Sequence, residues 1–345
     1  MKTPAAATDP SGSVGRYGRV FSPSSLRYVA RRLSQAVLVM LIVVIGNFIL
    51  LQLAPGDLID VLGGHSDMTA EQMANLRRAY GLDQPVPVQL ALYLKNLASF
   101  DLGYSPKNAA PVIDVIGKRI PVTATLVVLS VIISLVVGTV LGVVSARRAG
   151  GLADISISTV SLLFYAMPSF IIAICLILLF SVFFNLLPSA GFSSVGRDLR
   201  GLAYVADVAR HLAMPVLALC SFYIAIYSRL ARAAMLEVLG QDYVRTARAK
   251  GLGERRVIYV HALRNAMLPL VTMAGLQVSS LLGGAVIVET IFGLPGMGRT
   301  AFDAVFERDV NLLLGVLFVS SLGVVCVNFF VDLLYLVLDP RVELT

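Results

Sequence analysis

Residues 122–146 read VTATLVVLSVIISLVVGTVLGVVSA, a run without a single charged side chain. Coiled as a helix at about 1.5 Å per residue, a run of this length exceeds the roughly 30 Å of hydrocarbon in a bilayer. A helix also satisfies its own backbone hydrogen bonds, which a loop or an open strand in lipid cannot do. Five further runs of about 20 or more largely apolar residues, the length a crossing needs, lie at 36–54, 155–184, 212–230, 267–288 and 312–338. The whole composition agrees, with 57% apolar and only 14% charged residues, against a charged share of roughly 25% in soluble domains. The expectation is an all-α polytopic membrane protein with six transmembrane helices. The third and sixth runs are long enough to be tilted or partly interfacial.

Lysine and arginine fix the expected orientation. Lys2, Arg16, Arg19, Arg27, Arg31 and Arg32 precede the first run, Arg147 and Arg148 follow the second, and a basic stretch from Arg229 to Arg264 links the fourth to the fifth. These segments alternate with loops of balanced charge, so the positive-inside bias puts the N- and C-termini in the cytoplasm. The net charge of +7 is accounted for by this bias and calls for the lipid bilayer, not nucleic acid, as partner. Residues 1–25, rich in Ala, Ser, Gly and Pro, have no apolar core with a small-residue cleavage site and read as a disordered cytoplasmic tail. Cys175, Cys220 and Cys326 lie singly in apolar runs and read as small apolar side chains, with no metal-ligand spacing.

The loop 55–121 is too long for a simple external connection. Thr69 and Gln72 fit a capping box that opens a helix to Tyr80, with Gly81 as its stop. After Pro87, the residues Leu90, Tyr93, Leu94 and Leu97 stand at helical spacing. The loop is therefore expected to form a small folded cap, either a docking surface or a lid. Within the second run, Ser134, Gly138, Gly142 and Ala146 recur every fourth residue and leave a stripe for close helix packing. Pro168, Pro215 and Pro269 fall in later runs, where each removes a backbone donor and is expected to bend or open its helix.

Residues 235–265 are the expected functional element. From Met235 to Lys250, Leu236, Leu239, Tyr243 and Ala247 are expected on one helical face. Gly251 and Gly253 then break the helix, and a second amphipathic stretch from Glu254 carries Val257, Val260 and Leu263. Two short helices joined by a glycine elbow at the cytoplasmic face form a knob that a soluble partner can grip.

The stretch DYVRTARAKGLGERRVIYVHALRN (242–265) resembles the cytoplasmic coupling loop of ATP-binding-cassette (ABC) importer permeases. That family's pattern is Glu-Ala-Ala, three residues, Gly, nine residues, Ile-x-Leu-Pro. At this spacing Arg245, Thr246 and Ala247 stand for the triplet, Gly251 for the glycine, and His261, Leu263 and Arg264 for the closing group. Ala247, Gly251 and Leu263 match by identity. Arg replaces the first Glu, Thr the following Ala, and Arg264 the Pro. LRYVARRLSQAV from Leu26, LAPGD at 53–57, LRRAYGLDQPVPVQ from Leu76, DLGYS from Asp101, IFGLPGMGR from Ile291 and VDLLYLVLDPR from Val331 resemble, in order, segments of the B-type permease of dipeptide and oligopeptide importers.

The resemblance implies a type I ABC importer permease architecture over residues 26–345, in the bacterial cytoplasmic (inner) membrane. It implies a second, C-type permease subunit, two ATPase subunits that carry ATP and Mg, and an external solute-binding protein. The cargo implied is dipeptides or oligopeptides, with nickel chelates, glutathione or another small solute as alternatives. Arg245, Arg248, Arg255 and Arg264 are then expected to pair with acidic groups of the ATPase, the competing role being contact with anionic lipid.

GLPGMGRT (293–300) nearly fits the phosphate loop G-x-x-x-x-G-K-[ST], but Arg299 replaces the lysine and the expected location is external. The chain is thus expected to be non-catalytic, with no cofactor of its own. An ion-coupled secondary transporter is the rival class, and it needs ionisable groups deep in the membrane. Asn47, Gln277, Glu289, Asn328 and Asp332 are the candidates for lining a pathway or bridging helices. They are scattered singly, with no metal or catalytic cluster.

Overall fold

The computed structural model describes residues 23–53 and 84–338; the helix expected at 69–80 lies outside the described residues. The chain enters with α1 (Pro23–Leu53), then α2 (Val86–Ala98) and a two-residue antiparallel ladder, β1 (Tyr104–Ser105) with β2 (Ala110–Pro111). There follow α3 (Val112–Arg147), α4 (Leu152–Ala166) and α5 (Ser169–Leu176), the last passing into wider π-helical turns over Ile177–Phe183. Next come α6 (Leu202–Leu239), α7 (Asp242–Ala249), the single turn α8 (Glu254–Arg256) and a second π-helical stretch, Val257–Ala262. The chain continues through α9 (Leu263–Ile291), α10 (Met297–Phe306) and α11 (Val310–Leu338). Among the described residues five helices are each long and apolar enough to cross a membrane, and α4 with α5 makes a sixth where the bent pair is counted as one span.

That break corrects the expectation of one continuous third span. Proline disfavours the α conformation in the residue before it, and Met167 is accordingly extended, at φ −82° and ψ 128°. The two pieces on either side meet at 103°. Pro215 and Pro269, by contrast, lie within helices that continue past them, α6 and α9. Proline removes one donor, and whether the helix survives is set by the packing around it.

Helix α6 is the most buried of the long helices and forms the axis of the bundle. The stripe on α3 packs directly against it. A Cβ on Gly138 would stand 2.5 Å from Tyr227 Cβ, and one on Gly142 would stand 2.5 Å from Ala231 Cβ and 2.6 Å from the Ser228 carbonyl oxygen. Only glycine lets the two backbones approach this closely. Around this contact Leu126, Ala173, Met214, Tyr227, Val288 and Phe292 close the main core.

A second core forms where Val44 of α1, Leu97 of α2, Leu102, Ile116 of α3, Met297 of α10 and Leu312 of α11 meet. It fastens α2 and the β1–β2 ladder to the bundle. The buried Ser105 donates a hydrogen bond to Asp309, which also accepts from the Leu312 amide at 3.1 Å and so caps α11. Among the cysteines, Cys220 is buried as expected, whereas Cys175 and Cys326 lie on exposed helix faces.

The Gly142 contact yields a direct test. Gly142→Val adds volume where there is none, and overpacking costs about 1–3 kcal/mol. The variant should insert normally yet show a clearly lower midpoint of thermal unfolding in detergent, and an unchanged midpoint would remove this contact from the fold's determinants.

Candidate coupling loop and a buried carboxyl latch

The candidate loop is a compact knob hung between α6 and α9. Helix α6 ends at Leu239, Gly240 and Gln241 turn the chain, and α7 begins at Asp242. Asp242 in the first turn and Arg248 in the last complement the helix dipole. Past α7 the Gly251 amide donates to the Arg248 carbonyl at 2.9 Å and the Leu252 amide to the Ala247 carbonyl at 3.4 Å. This is the Schellman pattern, which needs a left-handed residue, and Gly251 has φ +76°. A Cβ at Gly251 would meet nothing within 4 Å. The glycine is therefore required by conformation and not by close backbone approach.

Beneath the elbow, Val244 and Ala247 of α7 and Val257 form a small buried core, with Val238, Leu239 and Leu252 packed on it. The inward face agrees with the expected one at Leu239, Ala247, Val257 and Leu263 and differs from it elsewhere. Tyr243 and Val260 are exposed, and the burial falls instead on Val244, Ile258 and Ala262. The turn at Gly240–Gln241 resets the helical phase between α6 and α7. The π-helical stretch, with i→i+5 bonding, shifts it again before α9.

Arg245 is exposed and lies 3.4 Å from Asp242 on its own helix. Thr246 donates its hydroxyl to the Asp242 carbonyl at 2.9 Å. Arg248 grips Glu254 across the elbow, Nη2 to Oε1 at 2.8 Å and Nε to Oε2 at 3.2 Å. That bond raises the Arg248 pKa above its usual value, so its charge is constant over any physiological pH. Arg255 and Arg264 are exposed, with no carboxylate partner among the described residues. His261 is half-buried, and its carbonyl accepts from Asn265 at 3.4 Å. Leu263 packs on the core that joins Val143, Ala146, Ala231 and Met235 to Ile258 and Ala262. The Asn265 amide also donates to the Tyr243 hydroxyl at 2.6 Å, binding α9 to α7.

The candidate pathway residues do not gather at one place. Glu289, near the end of α9, is fully buried. It accepts from the Thr123 hydroxyl of α3 at 2.5 Å and from the Arg299 amide of α10 at 3.0 Å, with the Gly298 amide as a further donor. Thr123 in turn accepts from the Met297 amide at 2.8 Å. The phosphate-loop-like segment thus folds its helix N-terminus around the chain's own carboxylate. Its glycines make room, since a Cβ on Gly296 would lie 2.3 Å from the Glu289 carboxyl carbon.

Asp332 pairs with Arg32 of α1 at 3.3 Å. Asn47 on α1 is buried with its Nδ2 unpartnered. Gln277 is buried on α9 and Asn328 half-buried on α11. Sequence reasoning passed over Thr123, Asp154, Arg232 and Asp309. An acid at the edge of an apolar run opposite an arginine at the edge of another was the available signal for Asp154 and Arg232.

The latch predicts a graded response. In Glu289→Leu the Thr123 hydroxyl and two amides lose their acceptor, each at a cost of about 1–3 kcal/mol, so the protein should lose thermal stability sharply. Glu289→Gln keeps an acceptor for the amides and a donor to Thr123, and should retain most of it. Equal unfolding midpoints for the two variants would contradict the latch.

Comparison with known proteins agrees with this architecture. Residues 138–344 match the family described as "Binding-protein-dependent transport system inner membrane component", and residues 25–127 match its N-terminal membrane component. A probable peptide ABC transporter permease of Sinorhizobium fredii is 38% identical over 316 residues, covering 92% of this chain and 99% of the relative. A putative peptide transport system permease of Brucella suis is 40% identical, covering 91% and 98%. The dipeptide transport system permease DppB of Escherichia coli is 37% identical, covering 92% and 99%. Among solved structures, an inward-facing MetNI methionine ABC transporter chain shares the fold, with TM-score 0.52 at 16% identity over 66% of this chain and 98% of that one.

Proposed function

Because the chain belongs to the binding-protein-dependent transport system inner membrane component family, the permease subunits of ABC importers, we propose that residues 235–265 are its coupling loop. In this reading an ATPase subunit seats the knob in a surface groove, and closure of the ATPase pair shifts α6 and α9 through it. The observation that carries the reading is the elbow itself: two short helices fixed by a Schellman cap at Gly251, with their own buried core. A rigid body of this kind transmits a push, whereas a flexible basic loop would absorb it.

The complete machine then comprises this chain, a C-type permease partner, two ATPase subunits that bind ATP and Mg, and an external solute-binding protein. Together the two permeases form the translocation path. The positive-inside bias supports cytoplasmic termini, a cytoplasmic knob and an external α10, in a bacterial inner membrane. Dipeptides or oligopeptides are the proposed cargo, on the strength of the names of the full-length relatives. An ion-coupled mechanism finds little to use here, because Glu289 is committed to α3 and α10, and Asp332 is paired with Arg32.

Two measurements test the assignment. The purified chain should hydrolyse no ATP alone and should co-purify with its ATPase subunits. Gly251→Val forces a branched residue to positive φ, at about 1–2 kcal/mol, and should cut uptake while leaving membrane insertion intact. Gly251→Asn, which tolerates that conformation, should stay close to wild type. Unchanged uptake in Gly251→Val would remove the elbow from the mechanism.

A further inference from the structure

A second polar cluster lies at the cytoplasmic ends of α3, α4 and α6, outside the coupling loop. Asp154, in the first turn of α4, is 4% exposed. Arg232 of α6 grips both of its oxygens, Nε to Oδ1 at 2.7 Å and Nη2 to Oδ2 at 2.8 Å. The Ser145 hydroxyl, from the last turns of α3, donates to the same carboxylate, and the Gly150 amide of the connecting turn donates to it at 2.9 Å. One buried carboxylate thereby ties together two helix ends, the turn between them and α6. A second contact joins the same two helices about three turns further along α4, where the Arg229 guanidinium lies 4.2 Å from the centre of the Tyr165 ring.

Arg232 lies about two turns before the end of α6. Over those turns Ala234 and Met235 pack with Ile258 and Ala262, and Val238 and Leu239 pack on the knob's own core. The knob is thus packed against α6 up to the level of Arg232. Apolar helix faces in lipid have little hydrophobic reason to stay in register, because the tails are as apolar as leucine. A bidentate arginine–carboxylate pair has a fixed geometry, and breaking one partner of a buried pair is costly.

We propose that Arg232 and Asp154 are positioning residues of the transport cycle: they pass a displacement of the coupling loop from α6 to α3 and α4, so that these spans and the knob move as one body. This rests on the coupling-loop assignment, and the test separates the two. The full importer is assembled in proteoliposomes with spin labels at Leu152, the exposed first residue of α4, and at Arg245 in the knob.

In wild type the separation between the labels should be the same without nucleotide, with ATP and after vanadate trapping. In Arg232→Ala it should shift or broaden with nucleotide. Uptake of a labelled dipeptide mixture per ATP hydrolysed should fall at least about fivefold in Arg232→Ala and Asp154→Asn, and less in Arg232→Lys, which keeps the charge. A nucleotide-dependent separation in wild type, or an unaltered one in Arg232→Ala, overturns the proposal. Failure of all three variants to assemble also overturns it, by assigning the cluster to folding alone. Cross-linking from a cysteine at position 245 to the ATPase subunits reports on the coupling loop independently: its absence in wild type sinks that assignment, and its presence beside an unaltered Arg232→Ala sinks only the relay.

Discussion

The backbone contact between α3 and α6 at Gly138 and Gly142 is the constraint on which the bundle depends. In lipid, burying a leucine against another helix gains little over burying it in acyl chains, so association falls to close packing and polar contacts. Two glycines one turn apart bring the backbones to a distance that no other residue permits. Helix α6 then becomes the shared wall for α3, α4, α5 and α9. At its N-terminal end Asp207 accepts from the Ser194 amide and hydroxyl, and Arg210 donates to the Leu186 carbonyl, which holds the 184–201 connection in place. In that connection the Gly191 amide meets the Phe292 carbonyl at the end of α9.

Three buried carboxylates supply what apolar packing cannot, a fixed register. Asp154 sits at one end of the bundle, and Glu289 and Asp309 at the other, each accepting hydrogen bonds from more than one segment. An isolated charge at such depth is costly. With donors converging on it, the same group becomes a specific joint, because sliding either neighbour by one turn would strand both acceptor and donors. The phosphate-loop likeness of residues 293–300 acquires a physical sense here. Small residues before a helix N-terminus make a seat for an acceptor group, and in this chain the carboxyl side chain of Glu289 occupies it.

Much of this was legible in the sequence, because a bilayer imposes a length and a polarity that composition displays directly. The apolar runs found their helices, the every-fourth-residue stripe found its partner face, and Leu97 of the helix expected after Pro87 is buried in the second core. Other features depend on information that local pattern does not hold. Three prolines looked alike, yet only Pro168 breaks a span, since the outcome depends on packing around the freed carbonyl. In the candidate coupling loop Ala247 and Val257 face inward as expected, whereas Tyr243 and Val260 were misplaced because a helical wheel assumes one unbroken phase, and both the turn at Gly240 and the π-helical stretch at 257–262 change it. Asp154 and Arg232 are 78 positions apart in sequence, too far for any spacing rule to pair them.

The structure also sorts the arginines of the knob, which the sequence presents as one basic group. Arg248 is spent on Glu254 across the elbow, in a bidentate contact that braces the turn from the side opposite the buried Val244–Ala247–Val257 core. Arg245 lies beside Asp242 on the same helix at 3.4 Å, both side chains largely exposed, a contact of the kind that contributes little to stability and is easily exchanged. Among the described residues Lys250, Arg255, Arg256 and Arg264 are exposed without such partners. A groove closing on this surface would therefore meet four free cations and one weakly held one, on a scaffold whose shape is already set by Gly251 and Arg248. Shape comes from the elbow and steering from the outlying charges, so replacing Arg248 disturbs the knob itself, whereas replacing Arg255 disturbs only what the knob can attract.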